Sequence, residues 1–302
     1  MGVLYRIAES CRGRIPVSLK NRWAAAPPGV AIFMPSIPGR HFLRNLVERR
    51  SLIYQLVRRD FQQRFVGSAG GWIWSVVHPL VLLISWSFVF QICMRYRLSP
   101  DQLTQNYSLF LFAGMLPWLL FSETVQRASV SLIEQSNLIT KTVFPAEVIP
   151  VSVFLSSLIS HALAVLLAVG VIAFWEGHFS VMLLLVPVYA FLTGMMAVGL
   201  GWITSSLQVY LRDTSQMLSV ILTFWFWMTP IFIEEDQFPE QFRFILKVNP
   251  LAFVVRAYRV ALLSSDFPPM SDLAAAALYA TGLFLVGGLV FRHMKKGFAD
   301  VL

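Results

Sequence analysis

The chain has 302 residues, 57% of them hydrophobic and only 13% charged, against about 25% charged in a usual soluble globular chain. Long apolar runs recur from Trp72 to Phe291, which excludes a soluble α/β enzyme as a first reading. The net charge of +8 is local, because Met1 to Gly71 holds twelve Lys and Arg against three Asp and Glu while the remainder is nearly neutral.

In chain order, residues 1–41 carry Pro16, Pro27, Pro28, Pro35 and Pro38. Their apolar patch is broken by the Pro27–Pro28 pair, so no signal-peptide core forms, and the segment reads as a flexible basic cytoplasmic tail. From 42 to 68 the pattern becomes helical: Leu46, Ile53, Val57, Phe61 and Phe65 share one stripe while Arg50, Arg58, Arg59 and Gln62 face elsewhere. Such a basic amphipathic helix lies in the headgroup plane as an anchor, or serves as a docking collar for a cytoplasmic partner.

A transmembrane helix needs about 20 mostly apolar residues. Six segments of the 69–295 region meet this: about 72–94, 107–128, 151–175, 181–209, 217–233 and 273–291. With the N-terminus inside, eighteen of the twenty-four Lys and Arg fall on the cytoplasmic side, so both termini, including the short 296–302 end, are expected there. The 239–265 segment does not fit the count. Asn249 followed by Pro250 is a helix-start signature, and the run to Arg256 is too short to cross, so half-helices dipping from the outer side are expected, as a re-entrant gate or as an outer-surface helix.

The cores of the first, third, fourth, fifth and sixth spans hold no Asp, Glu, Lys or Arg and so lack the ionisable relays of ion-coupled transporters; His161 is their one ionisable group well inside, and Glu123 and Arg127 stand at the end of the second. No G-x-x-x-x-G-K-[ST] phosphate loop occurs, so an energy source must be a separate ATPase chain, and no cofactor is expected in this one. Two cysteines, Cys11 and Cys93, read as free thiols. The five histidines, His41, His78, His161, His178 and His293, show no paired ligand spacing, so no metal site is expected. In place of charges the spans hold aromatics. Trp74, Trp86 and Phe90 in the first span and Phe224, Trp225 and Trp227 in the fifth are candidates for a pore lining that a sugar chain slides along; packing and lipid contact are the competing roles. Glu234, Glu235 and Asp236 form an acidic cluster at the outer end of the fifth span and read as a solvated loop.

Three stretches carry a family resemblance. Arg59 to Leu80 (RDFQQRFVGSAGGWIWSVVHPL) is similar to the R-D-x-x-x-R-[YF]-x-G-S-x-x-G-x-x-W-x-x-x-x-P-L opening of the first span in ABC-2-type polysaccharide export permeases. Asn137 to Pro150 (NLITKTVFPAEVIP) resembles that family's N-L-[IV]-x-K-x-x-F-P-x-E-x-[IL]-P loop, and Asn249-Pro250-Leu251 its N-P-L. The resemblance implies an all-α inner-membrane permease of six spans, a homodimer paired with two copies of an ABC ATPase that binds ATP and Mg. The expected cargo is an undecaprenyl-linked polysaccharide, O-antigen above all, and no nucleic acid is involved.

It also implies roles for particular residues. The loop 131–148 becomes the coupling element to the ATPase through Asn137, Leu138, Lys141, Phe144, Pro145 and Glu147, and Asn249, Pro250 and Arg256 belong to an outer gate. Arg58, Arg59 and Arg64 are placed to meet a diphosphate at the cytoplasmic entrance, since arginine's planar fork matches phosphate; retention of positive charge inside explains the same residues. Alternatives are an exporter of capsular polysaccharide, teichoic acid or a small hydrophobic drug, or a membrane-embedded glycosyl- or lipid-transferase using the acidic cluster.

Overall fold

The computed structural model describes residues 50–302 apart from 65, 68–69, 142–143 and 178–179. The basic tail and the 42–49 part of the amphipathic helix lie outside the described residues. The described chain is helical, with no strand. α1 (Arg50–Gln63) is followed by a 3-10 turn, Gly71–Ile73, and α2 (Trp74–Ser87), which runs on as a π-helical segment, Phe88–Cys93. Next come α3 (Tyr107–Glu134), α4 (Ser136–Lys141) and α5 (Val148–Glu176). A 3-10 lead-in, Val181–Leu185, opens α6 (Val186–Tyr210), and α7 is Thr214–Met228. α8 (Arg243–Val248), α9 (Pro250–Leu263) and α10 (Met270–Met294) precede a last turn and α11 (Phe298–Val301).

Five of these helical stretches are long and apolar enough to cross a membrane: Gly71–Cys93, Tyr107–Glu134, Val148–Trp175, Val181–Tyr210 and Met270–Gly297. The fifth segment expected from sequence, 217–233, is shorter as a helix. α7 has 15 residues, or about 22 Å at 1.5 Å per residue, against a hydrocarbon thickness of about 30 Å. The cause is local. Thr229 precedes Pro230, whose ring disfavours helical geometry at the residue before it, and Thr229 sits at φ −95°, ψ 136°.

The arrangement places α3 at the centre, where every residue from Leu109 to Trp118 is buried, as expected of a helix apolar on all sides. Its start is fixed by Asn106, whose side chain accepts the Ser108 N–H at 3.0 Å. α6 packs on α3 and, along its other side, on α10 at very close range: a Cβ added to Gly287 would lie 2.1 Å from the Gly199 carbonyl oxygen. Two glycines thus let two backbones touch where any side chain would hold them apart. α5 ends at Gly177 in the left-handed region, φ 70°, a position that favours glycine.

Two faces can be told apart by what is joined there. One carries α1, α4, the start of α5 and the C-terminal α11, and is called proximal below. The other carries the 94–106 loop, the 229–249 segment and the start of α10, and is called distal.

Candidate functional site

The proximal face is built around charges. α1 turns Ile53, Leu56, Val57, Asp60, Phe61 and Arg64 towards the bundle, with Leu56 buried, and leaves Arg58 and Arg59 exposed. This is the i, i+3, i+4 stripe read from sequence, but two charged residues continue it. Asp60 accepts from Arg127 Nη2 on α3 at 2.7 and 2.6 Å. Arg64 pairs with Glu123 on α3 and donates to Ser160 and Ser157 on α5 at 2.8 and 3.3 Å. Arg127 also donates to Ser157 at 3.1 Å, and Ser157 donates to Glu123 at the same distance. Burial, with Arg127 alongside, lowers the Arg64 pKa to about 10, so the guanidinium stays cationic at neutral pH. Arg64, predicted at an entrance, is therefore held inside a closed four-charge network, while Arg58 and Arg59 project outward.

Beside this network opens a cleft with about 280 Å³ of empty space, lined by Asp60, Arg127, Val130, Ser131, Glu134, Gln135 and Val153. It leads to α4, which follows α3 after a single residue. In the predicted coupling segment, Asn137 is exposed, Leu138 half-buried and Lys141 exposed, with Phe144 half-buried and Pro145 buried just beyond. Glu147 is tied down: its carboxylate accepts from Lys295 Nζ at 2.5 Å and its carbonyl from Trp202 Nε1 at 3.1 Å. The C-terminal end of α10 is pinned nearby, since Tyr210 on α6 donates to the Met294 carbonyl at 2.9 Å. A short helix is thus mounted on a stiff base formed by three long ones.

The distal face holds the second polar group. Asn249 caps α9 by accepting the Leu251 N–H at 3.1 Å and takes a second bond from Trp225 Nε1 at 2.9 Å. Its amide donates to Thr229 Oγ1 at 3.0 Å and the Met228 carbonyl at 3.3 Å, so one side chain fastens α9 to the end of α7. Pro250 occupies the first helical position, where its missing N–H costs nothing. Arg256 bridges Glu235, at 2.6 Å, and Asp272, at 2.8 Å; burial disfavours its charge, but the two carboxylates hold its pKa above the ordinary value. Glu234 is 2% exposed and accepts the Ser99 N–H at 2.8 Å. The acidic cluster expected as a solvated loop is thus partly consumed in structure: Asp236 is left exposed, Glu235 is ion-paired and Glu234 is buried.

Two residues that sequence reasoning passed over organise this end. Arg259, on the buried face of α9, donates to the carbonyls of Ile231 at 2.7 Å and Phe110 at 3.3 Å and lies 3.6 Å over the Phe110 ring. Phe232 is the hub of an aromatic cluster, with centroids 4.8 Å from Trp86, 5.0 Å from Phe90, 5.1 Å from Phe226 and 5.2 Å from Trp227. Of the six aromatic candidates, Trp86, Phe90 and Trp225 are engaged within the chain, Trp227 is stacked on Phe232 yet still 50% exposed, and Trp74 and Phe224 are exposed at 56% and 69%. The signal for Phe232 was present as Thr229-Pro230, which turns the chain back; that for Arg259 was a second cation, three residues after Arg256, in a short apolar run.

Comparison with known proteins places this geometry. The sequence pattern described as "ABC-2 type transporter" matches residues 51–263. The chain is 30% identical over 256 residues to an O-antigen export system permease protein RfbA of Klebsiella pneumoniae, covering 83% of this chain and 95% of that one. It is 26% identical over 261 residues to the RfbA protein of Myxococcus xanthus, 85% and 98% covered. A polysialic acid transport protein KpsM of Escherichia coli is 25% identical over 245 residues, 80% and 92% covered. A multi-pass helical bundle matched over this length is decisive: the chain belongs to the ABC-2 type transporter permease family and is related to polysaccharide exporters.

Proposed function

We propose that the chain is the membrane subunit of an ATP-driven exporter of lipid-linked polysaccharide, with O-antigen as cargo, in a bacterial inner membrane. The observation that carries this reading is its likeness to O-antigen permeases along nearly their whole length. Two copies form the conduit and two ATPase chains dock from the cytoplasm, which is the proximal face because the basic residues concentrate there. Both termini lie on that side. α7 and the 229–234 turn complete a sixth crossing, and α8 with α9 forms the outer re-entrant gate.

In this mechanism α4 receives the ATPase closure through Asn137, Leu138, Lys141 and Phe144. Because Glu147 is bonded to Lys295 and Trp202, the push is delivered to the bundle as a rigid-body shift. The exposed rings Trp74, Phe224 and Trp227 line the path of the glycan; Arg58 and Arg59 attract the anionic lipid head to the entrance. ATP and Mg are bound by the partner, and this chain has no catalytic role. Likeness to KpsM favours capsular polysaccharide as the second cargo.

The test is reconstitution of this chain with its ATPase in vesicles supplied with undecaprenyl-linked glycan. ATP-dependent appearance of glycan in the opposite leaflet is expected, and none without the ATPase. Intact ATP hydrolysis by the assembled complex with no glycan movement refutes the reading.

A further inference from the structure

The charge network at the start of the first span has an uneven construction. Asp60, Arg64, Glu123 and Arg127 sum to zero charge, yet the two carboxylates are held differently. Asp60 sits against one nitrogen of Arg127 through both of its oxygens, with its side chain 19% exposed. Glu123 is the most exposed of the four at 37%, and a single oxygen, Oε1, receives everything: Arg64 Nη2, Ser157 Oγ at 3.1 Å and Arg127 Nη1 at the longer distance of 3.8 Å. Ser160 stands behind Arg64 at 2.8 Å, and Ser75 on α2 is 3.5 Å from Ser160. Both guanidinium groups and the Ser157 hydroxyl thus face one oxygen atom, while Ser160 backs Arg64 without touching Glu123. Donors from three segments of the chain meet at this one carboxylate, a cluster that also suits an anion with three acceptor oxygens.

Depth agrees with such a ligand. Glu123 is 16 residues along α3 from Tyr107, about 24 Å at 1.5 Å per residue. Counted from Tyr107, a hydrocarbon layer of about 30 Å ends roughly four residues beyond Glu123, beside Arg127, so the site lies just under the headgroups. The neighbouring cleft carries two carboxylates, Asp60 and Glu134, against the one cation Arg127, which disfavours an anion there. The open side is that of Glu123 itself.

We propose that Arg64, Arg127, Ser157 and Ser160 form a phosphoryl-binding site that the chain's own Glu123 carboxylate fills, and that a phosphate or diphosphate group at the membrane surface displaces Glu123 to occupy it. Resting on the export reading above, this makes Glu123 an internal competitor of the cargo's anionic head. With the site self-filled, Arg64 stays paired and α1 stays latched to α3 and α5. When an anion takes over, Glu123 is released towards the headgroups and α3, which continues into α4, is freed from one of its two ties to α1. Loading of the anion is thereby sensed at the element that meets the ATPase.

The experiment uses the full permease–ATPase complex in nanodiscs of neutral phosphatidylcholine, titrated with radiolabelled undecaprenyl diphosphate, with undecaprenol as the uncharged control. Glu123→Gln removes the competing charge and keeps the shape, so half-saturation is expected at roughly tenfold lower concentration, the scale of one charge-assisted hydrogen bond. Glu123→Asp retains the charge and is expected to stay near wild type. Arg64→Gln in the Glu123→Gln background removes the gain, and undecaprenol binding is the same in all. Competition by inorganic pyrophosphate or by phosphatidylglycerol supports the site and tells a free phosphate or bulk lipid from the cargo head as its source.

Unchanged or weaker binding in an assembled Glu123→Gln complex overturns the proposal. Should that variant fail to assemble, Ser157→Ala deletes one neutral donor and is expected to weaken binding; unchanged affinity there overturns it equally. Glycan export by wild type with no gain in Glu123→Gln sinks this inference alone, whereas a gain seen with pyrophosphate in a complex that exports no glycan sinks the export reading alone.

Discussion

Arg259 shows what a single buried charge does in this bundle. Its guanidinium is spent on two backbone carbonyls and the face of Phe110, and Gly114 is the residue that makes room: a Cβ there would stand 2.8 Å from Arg259 Nη2. The Ile231 carbonyl belongs to the chain reversal after Pro230, which sits where regular hydrogen bonding has stopped and needs a donor brought from elsewhere. Replacing Arg259 with Met leaves the buried Ile231 carbonyl without its donor, at about 1–3 kcal/mol, and removes the contact with Phe110, partly offset because a desolvated charge is also removed. We expect Arg259→Met to lower the melting temperature of the detergent-solubilised protein by several degrees, with Arg259→Lys falling between. An unchanged melting temperature contradicts the role assigned to it.

At the scale of elements, the tightest joint is α6 against α10. Apolar surface alone does not hold two helices together in lipid, because the lipid is equally apolar; close packing must. Gly199 and Gly287 supply it by letting backbone meet backbone, a Cβ on Gly287 falling 2.1 Å from the Gly199 oxygen. Gly287→Val forces the helices apart along the whole joint and separates Trp202 from Phe284, now 4.8 Å between ring centres. We expect that substitution to cut the yield of folded protein and broaden its gel-filtration peak, while Gly282→Val on the same helix, where an added Cβ meets nothing within 4 Å, leaves both unchanged. Equal behaviour of the two variants argues against backbone contact as the stabilising feature. The α1 joint is of a different kind, held by ions and hydroxyls beside the buried Leu56.

Over the whole molecule, the two faces differ in how firmly they are fixed. The distal face is braced by three ties to α9, at Asn249, Arg256 and Arg259, and by the Phe232 cluster, which joins α7 to the end of the first span. The proximal face presents α4 on a base anchored by Glu147, Lys295 and Trp202, with Lys141 exposed and Leu138 and Phe144 only half-buried. Such partly exposed apolar groups are each worth on the order of 1 kcal/mol at an interface. The pair Leu138→Ala with Phe144→Ala is expected to reduce the ATPase chain recovered with the permease about tenfold or more and to leave the permease's own melting temperature within a degree or two. Full recovery of the ATPase with the Phe144 ring and the Leu138 side chain removed shows that docking lies elsewhere.

Composition and periodicity alone indicated a multi-pass helical membrane chain, and the Asn249–Pro250 pair a helix start, because burying apolar side chains in lipid is a local requirement written into each run of about 20 residues; the family came from the motif likeness of Arg59–Leu80, Asn137–Pro150 and Asn249–Leu251. The inward stripe of α1 was readable for its apolar members and misleading for Asp60 and Arg64, since a charged residue on a buried face is identified only by its partner. Glu123, Arg127, Ser157 and Ser160 lie 59 to 100 residues from those two in the chain, counting from the numbering, and no spacing rule connects them. The same holds for Glu234, Arg259 and Phe232: each needed a long-range neighbour that only the packed bundle supplies. What tertiary structure decided was therefore the pairing of polar groups, whose free energy depends on distance and dielectric between segments remote in sequence, whereas the apolar framework depends on each segment by itself.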